Sequence, residues 1–170
     1  MLSDSKYGWD TRGNVMRLTL LKSAVHPDPK ADEGRHRFTY SLFPHAGDWR
    51  AAGTVQRAYE LNVPVQAAAL AGGGSASLPQ SFSLVTVDAP NLIVETIKKA
   101  EDDDSLIVRL HEAYNQRGAA TLSFGRPVQS AKSVNLLENE PDGEDPGVAG
   151  AQIRFDYKPY EVKTFKVRLG

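Results

Sequence analysis

Apolar and polar residues alternate in three runs between residues 91 and 124, and this pattern predicts β-strands. The runs are Leu92–Ile97, Leu106–His111 and Ala120–Phe124. Clusters of acidic, amide and glycine residues separate them. Period-two alternation rich in β-branched residues, interrupted by turn residues, is typical of an antiparallel meander. A meander with one apolar face needs a second sheet to cover it, so we expect a β-sandwich in the C-terminal half.

Four further segments complete the predicted sandwich. They are Ser81–Val87, Ala131–Leu137, Ala151–Tyr157 and Tyr160–Leu169. The total of seven strands counted from Ser81 is common for two packed antiparallel sheets. An acidic segment rich in proline and glycine, from Glu138 to Gly150, is expected to be a loop. Pro159 is expected at a sheet edge or a corner, because proline cannot donate a hydrogen bond to a neighbouring strand.

The N-terminal part has a weaker pattern. We expect a loop over Met1–Asn14 and strands at Val15–Leu21 and Arg35–Phe43. The period then changes, and Asp48 is predicted to cap a helix from Trp49 to about Leu61. Gly53 weakens that helix by about 1 kcal/mol relative to alanine. The predicted buried stripe of the helix consists of Trp49, Ala52, Val55 or Gln56, and Tyr59.

Composition divides the chain into two pieces. Residues 66–80 hold three consecutive glycines among small and polar residues, which is typical of a flexible linker or crossover. We therefore predict an all-β protein with one short helix near residues 49–61. Residues 1–65 form the first piece, and residues 81–170 form a seven-stranded antiparallel sandwich.

The overall composition excludes several classes of function. The formal net charge of −1 provides no field to attract nucleic acid or an anionic membrane. No run of about eighteen apolar residues predicts a membrane span, and the N-terminus lacks the order of a secretory signal. The chain has no cysteine, which excludes disulfides and thiolate chemistry and fits a cytoplasmic protein. We expect neither nucleic acid nor membrane as a partner.

The sequence carries no recognisable catalytic motif. It has no GxSxG, GxxxxGK(S/T) or GxGxxG pattern, and nothing places two carboxylates across a cleft as a glycosidase requires. Two sets of residues raise the question of a metal. One set is His26, Asp28, Asp32 and His36, whose oxygen and nitrogen ligands suit a divalent ion, although a solvated loop is favoured. The Asp102–Asp104 run lacks the spacing of a calcium loop, and a charged hairpin turn is favoured.

Four segments, taken together, resemble one family. Leu2–Trp49 contains SDSKYG, RLTLLKS, PDPKADEGRHRFTY and PHAGDW in that order, and AYELNVPV follows at residues 58–65. The series continues to the end of the chain with two further segments, NLIVETIKKAEDDDSLIVRLHEAYNQRGAATLSF and PYEVKTFKVRLG. These segments are similar to the C-terminal region of glycoside hydrolase family 38 α-mannosidases of the cytosolic and bacterial type. The resemblance covers nearly all 170 residues.

The resemblance implies a retaining hydrolase of terminal α-mannosides with a role in mannose metabolism. Family members hold a catalytic aspartate and a divalent metal, usually zinc, in an N-terminal catalytic domain. No counterpart of those motifs stands in this sequence, so the resemblance assigns no catalytic residue, metal ligand or cofactor to this chain. We expect a C-terminal portion in which residues 1–65 are the tail of the family's large β-sandwich region, with the helix. Its expected partners are its own catalytic domain and a mannose-containing oligosaccharide. The formation of a homo-oligomer is left open.

The resemblance also implies contacts with substrate, because in the family this β-rich region borders the active-site cleft. The matching positions are Asp4, Lys6, Tyr7, Lys22 and Ser23. Polar and aromatic loop residues suit the recognition of sugar hydroxyls and sugar rings. The alternative is that SDSKYG is a structural turn, with Lys6 paired on the surface, and the two have equal weight. Ser3 stands where many relatives have asparagine, which weakens any contact from that position.

A second hypothesis comes from another class of protein. A stand-alone carbohydrate-binding or protein-interaction module would have the same all-β composition and the same lack of catalytic motifs. An open reading frame that continues upstream of Met1 into a catalytic domain with His and Asp metal ligands would favour the α-mannosidase.

Overall fold

The computed structural model describes residues 1–69, 79–139 and 143–170, and these consist mainly of antiparallel strands with one short helix. The predicted all-β class is confirmed. The chain divides into two compact units, of which the first ends at Ala69 and the second runs on to Gly170. Most of the predicted linker, residues 66–80, lies outside the described residues. Three residues of the predicted acidic loop, 140–142, lie outside them too.

The first unit contains two small sheets. Strand β1 (Leu2–Ser3) pairs with β4 (Tyr40–Ser41), while β2 (Gly8–Arg12) and β3 (Val15–Thr19) form an antiparallel hairpin. Leu2 alone is buried among residues 1–69, all of which the structure describes. The first unit therefore has almost no interior of its own.

The hairpin corrects the predicted loop over Met1–Asn14. Arg12 pairs with Val15, so the hairpin loop has two residues, Gly13 and Asn14. Gly13 has φ 60°, a left-handed conformation that glycine adopts without steric cost. A two-residue loop with glycine first is a favoured connection between antiparallel strands, and this signal in the sequence was overlooked.

The predicted strand at Arg35–Phe43 is also corrected, because only β4 forms within it. A strand needs a partner along its length, and the described pairing partner in the first unit is β1. Beyond this pair, the Asp4 amide still donates to the Thr39 carbonyl at 3.1 Å, but the Thr39 amide donates to the Asp4 side chain at 2.9 Å. A carboxylate thus replaces the backbone acceptor that would have continued the ladder.

The helix is shorter than predicted. Asp48 accepts from the amides of Arg50 and Ala51 at 3.0 and 2.8 Å, which caps a turn rather than the helix. Gly53 has φ 63° and interrupts that turn, so helix α1 covers Thr54–Asn62. The predicted buried stripe is only half-buried at Ala52, Val55, Gln56 and Tyr59, and Trp49 is exposed. Among the described residues, no helix is long and apolar enough to cross a lipid bilayer.

The second unit is a sandwich of two four-stranded antiparallel sheets. Its strands are β5 (Val85–Val87), β6 (Leu92–Lys99), β7 (Leu106–Glu112), β8 (Gly118–Phe124), β9 (Val128–Val134), β10 (Gly147–Ala149), β11 (Gln152–Tyr157) and β12 (Val162–Leu169). One sheet has the order β10-β11-β8-β5 and the other has β6-β7-β12-β9. The described residues therefore give eight strands rather than the predicted seven. The additional strand, β10, has three residues, and the predicted acidic loop contained it.

The core of the sandwich lies between the two sheets. The inward side chains include Val108, Leu110, Leu122, Phe124, Ile153, Phe155, Phe165 and Val167, all of them buried. The rings of Phe155 and Phe165, one from each sheet, lie 4.8 Å apart between centroids. Each such side chain contributes about 1.5–3 kcal/mol when it is removed from water. This interior stabilises the second unit without help from the first.

The predicted three-stranded meander is wrong in its last step. Strands β6 and β7 pair as expected, but β8 lies in the opposite sheet between β11 and β5. The connection from β7 to β8 contains Asn115, which has φ 63°. Alternation predicts where the strands are. It does not predict whether the next strand pairs with the preceding one or crosses the core to join the opposite sheet.

Candidate functional site

Three predicted site residues lie on the segment between β1 and β2, and this segment is attached to the residues before β4. The Asp4 carboxylate accepts from the Thr39 amide at 2.9 Å and from the Ser5 hydroxyl at 3.0 Å. The Thr39 amide is the main cause that lowers the pKa of Asp4, while desolvation opposes the shift. Asp4 is therefore an anchoring carboxylate as well as a candidate contact.

Lys6 and Tyr7 differ in how they are held. The Lys6 amide donates to the Ser3 hydroxyl at 2.9 Å, and the Lys6 ammonium lies 5.0 Å from the centroid of the Phe38 ring. That geometry is a cation–π contact. Tyr7 is 92% exposed. Of the two, Lys6 has a structural contact and Tyr7 is presented to solvent.

Lys22 and Ser23 are held together by a carboxylate nine to ten residues further along the chain. Asp32 Oδ2 accepts from the Ser23 amide at 2.8 Å and from the Lys22 amide at 3.3 Å. Ser23 has φ 53° and Asp32 has φ 65°, both in the left-handed region, which is uncommon for residues with a side chain although aspartate adopts it more readily than serine. Two residues held in this conformation by one hydrogen-bonded contact form a locally strained site.

Asp32 also connects the two sets of predicted residues. The pKa of its carboxyl group is lowered, first by the Ser23 amide, against desolvation, and then by the Lys22 amide and the positive charges of His36 and Lys6. The His36 ring lies against the Asp32 carbonyl, with Nε2 at 2.8 Å. Lys6 therefore lies within electrostatic range of the carboxylate that holds Lys22 and Ser23. Sequence reasoning singled out Asp32 only as a metal ligand and missed this role.

Several carboxylates of the two sets considered for metal binding are engaged in hydrogen bonds or ion pairs within the protein. No group of three or more His, Asp or Glu side chains in the described parts of the chain is arranged to hold a metal ion. Asp28 accepts from the Lys30 amide at 2.9 Å, and Asp32 is occupied by the amides described above. Asp103 and Asp104 form ion pairs with Lys166 at 3.1 Å and Lys99 at 2.7 Å. The charged hairpin turn predicted there is confirmed.

A buried polar cluster in the second unit was not predicted. Glu112 is 1% exposed, and its carboxylate accepts from the amides of Tyr114, Asn115 and Tyr160 at 2.7, 2.9 and 2.9 Å. The Asn91 side chain donates to it at 3.0 Å and also contacts the Tyr157 hydroxyl at 3.2 Å. Every second residue of β7 faces the core, and Glu112 is the next such residue after Val108 and Leu110. A charged residue at an inward position is the signal that could have found this cluster.

The Glu112 cluster predicts a loss of stability in acid. Desolvation alone would raise the pKa of Glu112, but the donors at Tyr160, Asn91 and Tyr114 outweigh it and the pKa lies below its ordinary value. A carboxylate whose pKa is lowered by folding stabilises the folded protein at pH values above its pKa in the unfolded chain, about 4.5. This contribution is lost as the pH falls through the pKa of the folded protein. Asp103 adds to this at lower pH, because the Ser105 amide lowers its pKa to about 2.

We therefore expect the free energy of unfolding to fall as the pH is lowered from about 4.5 towards 2. Urea denaturation followed by far-ultraviolet circular dichroism measures it at each pH. Glu112→Gln has no charge to titrate at this position, so its stability should depend less on pH over that range. Equal slopes for the two proteins would contradict a lowered pKa at Glu112.

A groove of about 870 Å³ lies in the second unit beside β11 and β12. Its lining carries charges of both signs, including Asp145, Lys158, Glu161 and Lys163. Some of these groups are satisfied by the protein. The Glu161 carboxylate accepts from the Lys158 amide at 2.7 Å, and the Lys163 ammonium lies 3.4 Å from it. The predicted site residues belong to the first unit, and none lines this groove.

Comparison with known proteins gives a consistent assignment. Residues 91–165 match the model of the glycosyl hydrolases family 38 C-terminal beta sandwich domain. The chain is 36% identical over 165 residues to alpha-mannosidase 2C1 of Homo sapiens, covering 95% of this chain and 16% of that protein. It is 32% identical over 171 residues to alpha-mannosidase G of Dictyostelium discoideum, covering 98% of this chain and 15% of that protein.

A more distant relative extends the same pattern. The alpha-mannosidase of Saccharomyces cerevisiae is 28% identical over 193 residues, covering 98% of this chain and 17% of that protein. The resemblance noted from the sequence motifs is confirmed. The chain spans about one sixth of the length of these curated relatives.

Proposed function

We propose that this chain is the C-terminal, non-catalytic part of an α-mannosidase, because residues 91–165 match the C-terminal beta sandwich domain of the family 38 glycosyl hydrolases. The observation that carries the proposal is the similarity to α-mannosidases along 95% or more of the chain. That similarity runs through both units, so it concerns more than a shared sandwich fold. Joined to its catalytic domain, the chain would serve the hydrolysis of terminal α-linked mannose.

The proposal assigns the chemistry of the reaction to the catalytic domain. Retaining hydrolysis needs two carboxyl groups about 5 Å apart, and the resemblance places these groups and the divalent metal, zinc in most relatives, outside the present 170 residues. The chain itself is proposed to have no catalytic residue and to bind no cofactor. Its partners would be its own catalytic domain and a mannose-containing oligosaccharide in the cytoplasm, since the motifs of residues 2–49 resemble the cytosolic and bacterial type.

The contribution to substrate binding is proposed to come from Asp4, Lys6, Tyr7, Lys22 and Ser23. An exposed phenol can cover the apolar face of a sugar ring and exchange hydrogen bonds with its hydroxyls. The backbone of Lys22 and Ser23 is already held by Asp32. Contacts made by ordered groups bind more tightly because less conformational entropy is lost on binding.

The isolated 170-residue chain is expected to show no α-mannosidase activity, with or without added zinc or cobalt. A metal ion alone cannot replace the nucleophile and the acid. The measurement is the release of the aryl group from an aryl α-mannoside by chromatographically pure chain. Turnover that co-purifies with the chain through successive columns would contradict the proposal.

Tyr7→Phe and Lys6→Ala are expected to lower activity in the longer enzyme more than they lower stability. Loss of one hydroxyl or charged contact with substrate costs about 1–3 kcal/mol, which corresponds to about five- to 150-fold in kcat/KM. Tyr7→Phe is the cleaner test, because Tyr7 is exposed whereas Lys6 also contacts Phe38. Kinetics and thermal melting should be measured on the same preparations.

Tyr40→Phe is the matched control for this experiment. Tyr40 is an exposed tyrosine of the same unit on β4, and its hydroxyl belongs to no predicted contact. The proposal expects full activity from Tyr40→Phe. Unchanged kinetics for Tyr7→Phe and Lys6→Ala, together with a lowered melting temperature, would instead identify the SDSKYG segment as a structural turn.

The groove beside β11 and β12 is the feature that favours the alternative, a stand-alone carbohydrate-binding module. Polar side chains of both signs can exchange hydrogen bonds with sugar hydroxyls. Calorimetric titration of the isolated chain with a mannose oligosaccharide separates the two functions. Saturable binding that Lys163→Ala abolishes would support the module, whereas the α-mannosidase proposal expects no binding at this groove.

A further inference from the structure

The segment Asn135–Asn139, here called the leucine loop, has a fixed conformation. The Asn135 side-chain oxygen accepts from the amides of Leu137 and Asn139 at 2.9 and 3.1 Å. The Asn135 amide donates to the Asn139 carbonyl at 3.0 Å, and the Glu138 amide donates to the Asn135 carbonyl at 3.0 Å. Glu138 adopts φ 65°, which closes the loop. Hydrogen bonds within the loop thus define its shape.

Charged groups attach the leucine loop to the sandwich. Glu138 is buried, and its carboxylate accepts from the Glu101 amide at 2.8 Å and from the Lys98 ammonium at 2.8 Å. The Arg109 guanidinium donates to the Leu136 carbonyl at 3.2 Å. Lys98 and Arg109 belong to β6 and β7, so the loop is held by one sheet at several points.

Two leucines are nevertheless turned to solvent by this loop. Leu136 is 63% exposed and Leu137 is 80% exposed, more than any other large aliphatic side chain among the described residues of the second unit. Their exposure costs the hydrophobic free energy that burial would recover. Adjacent exposed leucines on an ordered loop differ from single surface leucines, and such patches mark interaction sites. Because the loop is already ordered, docking would lose little conformational entropy.

We propose that Leu136 and Leu137 dock into an apolar depression on the catalytic portion of the same polypeptide. This inference rests on the proposed function, which makes the chain part of a longer enzyme. The chain covers 16% of the length of its human relative, so most of such an enzyme is available as the docking partner. The surface that receives the two leucines should be uncharged and apolar, because Glu138, the one charged residue of the loop, is already paired with Lys98.

The size of the contact favours an intramolecular partner over a second copy of the chain. Two leucine side chains bury on the order of 200 Å². Stable association of separate proteins needs at least about 1,000 Å². A small contact holds when a covalent connection supplies a high effective concentration of the partner surface. The leucine loop therefore positions the C-terminal sandwich against the portion to which it is linked.

A photo-crosslinking amino acid in place of Leu137 tests the proposal in the longer enzyme. Irradiation should join residue 137 to a peptide of the catalytic portion within the same molecule, as identified by mass spectrometry. Links between two molecules would overturn the inference, and so would the absence of links in an enzyme that hydrolyses α-mannosides. Failure of the proposed function is distinguishable, because it would show as a longer polypeptide without α-mannosidase activity.

Substitution provides an independent measurement. Leu136→Ser with Leu137→Ser should make the longer enzyme about tenfold more susceptible to proteolysis between its catalytic and C-terminal portions, since the docked population falls. Val148→Ser with Val162→Ser is the matched control, because both valines are exposed on the same sandwich. Both double variants should leave the melting temperature of the isolated 170-residue chain unchanged. Equal susceptibility of the two double variants would overturn the inference.

Discussion

Glu112→Ala is expected to lower the free energy of unfolding of the second unit by about 3–5 kcal/mol, because several buried donors lose their acceptor at once. The substitution leaves three backbone amides and the Asn91 side chain without their acceptor. Each buried donor that loses its partner costs about 1–3 kcal/mol.

The reason for this large effect is that Glu112 joins three connections of the sandwich. Its donors lie after β7, before β6 and in the turn between β11 and β12. Each of these three connections carries the chain from one sheet to the other. A single carboxylate therefore fixes the place where the predicted meander fails and the sandwich closes.

Two further variants control the measurement. Glu112→Gln keeps the volume and one acceptor oxygen and should be less destabilised than Glu112→Ala. Asp102→Ala removes an exposed carboxylate and should change stability by less than about 0.5 kcal/mol. Denaturation should be followed by far-ultraviolet circular dichroism, because both tryptophans, Trp9 and Trp49, lie in the first unit. A change of under 1 kcal/mol for Glu112→Ala would contradict the role given to the cluster.

Residues 15–43 are expected to exchange their amide hydrogens about a hundredfold or more faster than residues 91–124. Protection reflects the free energy of local opening, which follows the number of buried apolar contacts and ordered backbone hydrogen bonds. The first unit has one buried side chain, Leu2, while the sandwich has a core drawn from both sheets. Apolar residues of the first unit such as Met16 and Leu21 are exposed and so contribute no buried contacts that would slow exchange.

Native-state hydrogen exchange with mass spectrometry measures this difference on the isolated chain, and analytical ultracentrifugation must show a monomer. In the longer enzyme the same residues should become protected, while residues 91–124 should change little. Equal protection of the two segments in a demonstrated monomer would show that the first unit is complete in itself. In that contradicting case, tryptophan fluorescence, which reports only on the first unit, should show an unfolding transition at the same denaturant concentration as circular dichroism.

The strands of the sandwich could be predicted because alternation is a local property. Six of the eight, β6 to β9, β11 and β12, overlap predicted segments of similar length. Strand β10 has three residues after Pro146, which is too short to show a period. The position of β8 in the opposite sheet depends on the buried contacts of Glu112 with residues distant in sequence. No local pattern contains that information.

The residues of the candidate site are named by resemblance, and their arrangement could not be predicted from the sequence. The motifs of the first 49 residues singled out Lys6, Lys22 and Ser23 by resemblance. The contact that connects them depends on Asp32 and on the left-handed conformation of Ser23 and Asp32, which are not glycines. The left-handed conformation is uncommon for serine, so the sequence alone favours a solvated loop there.

The most direct test is an assay of the longer polypeptide in which these 170 residues follow a catalytic domain. Its hydrolysis of an aryl α-mannoside should be compared with that of the isolated chain under identical conditions. We predict metal-dependent turnover by the longer polypeptide and none by the isolated chain. Turnover by the isolated chain, or a longer polypeptide that leaves α-mannosides intact, would contradict the assignment.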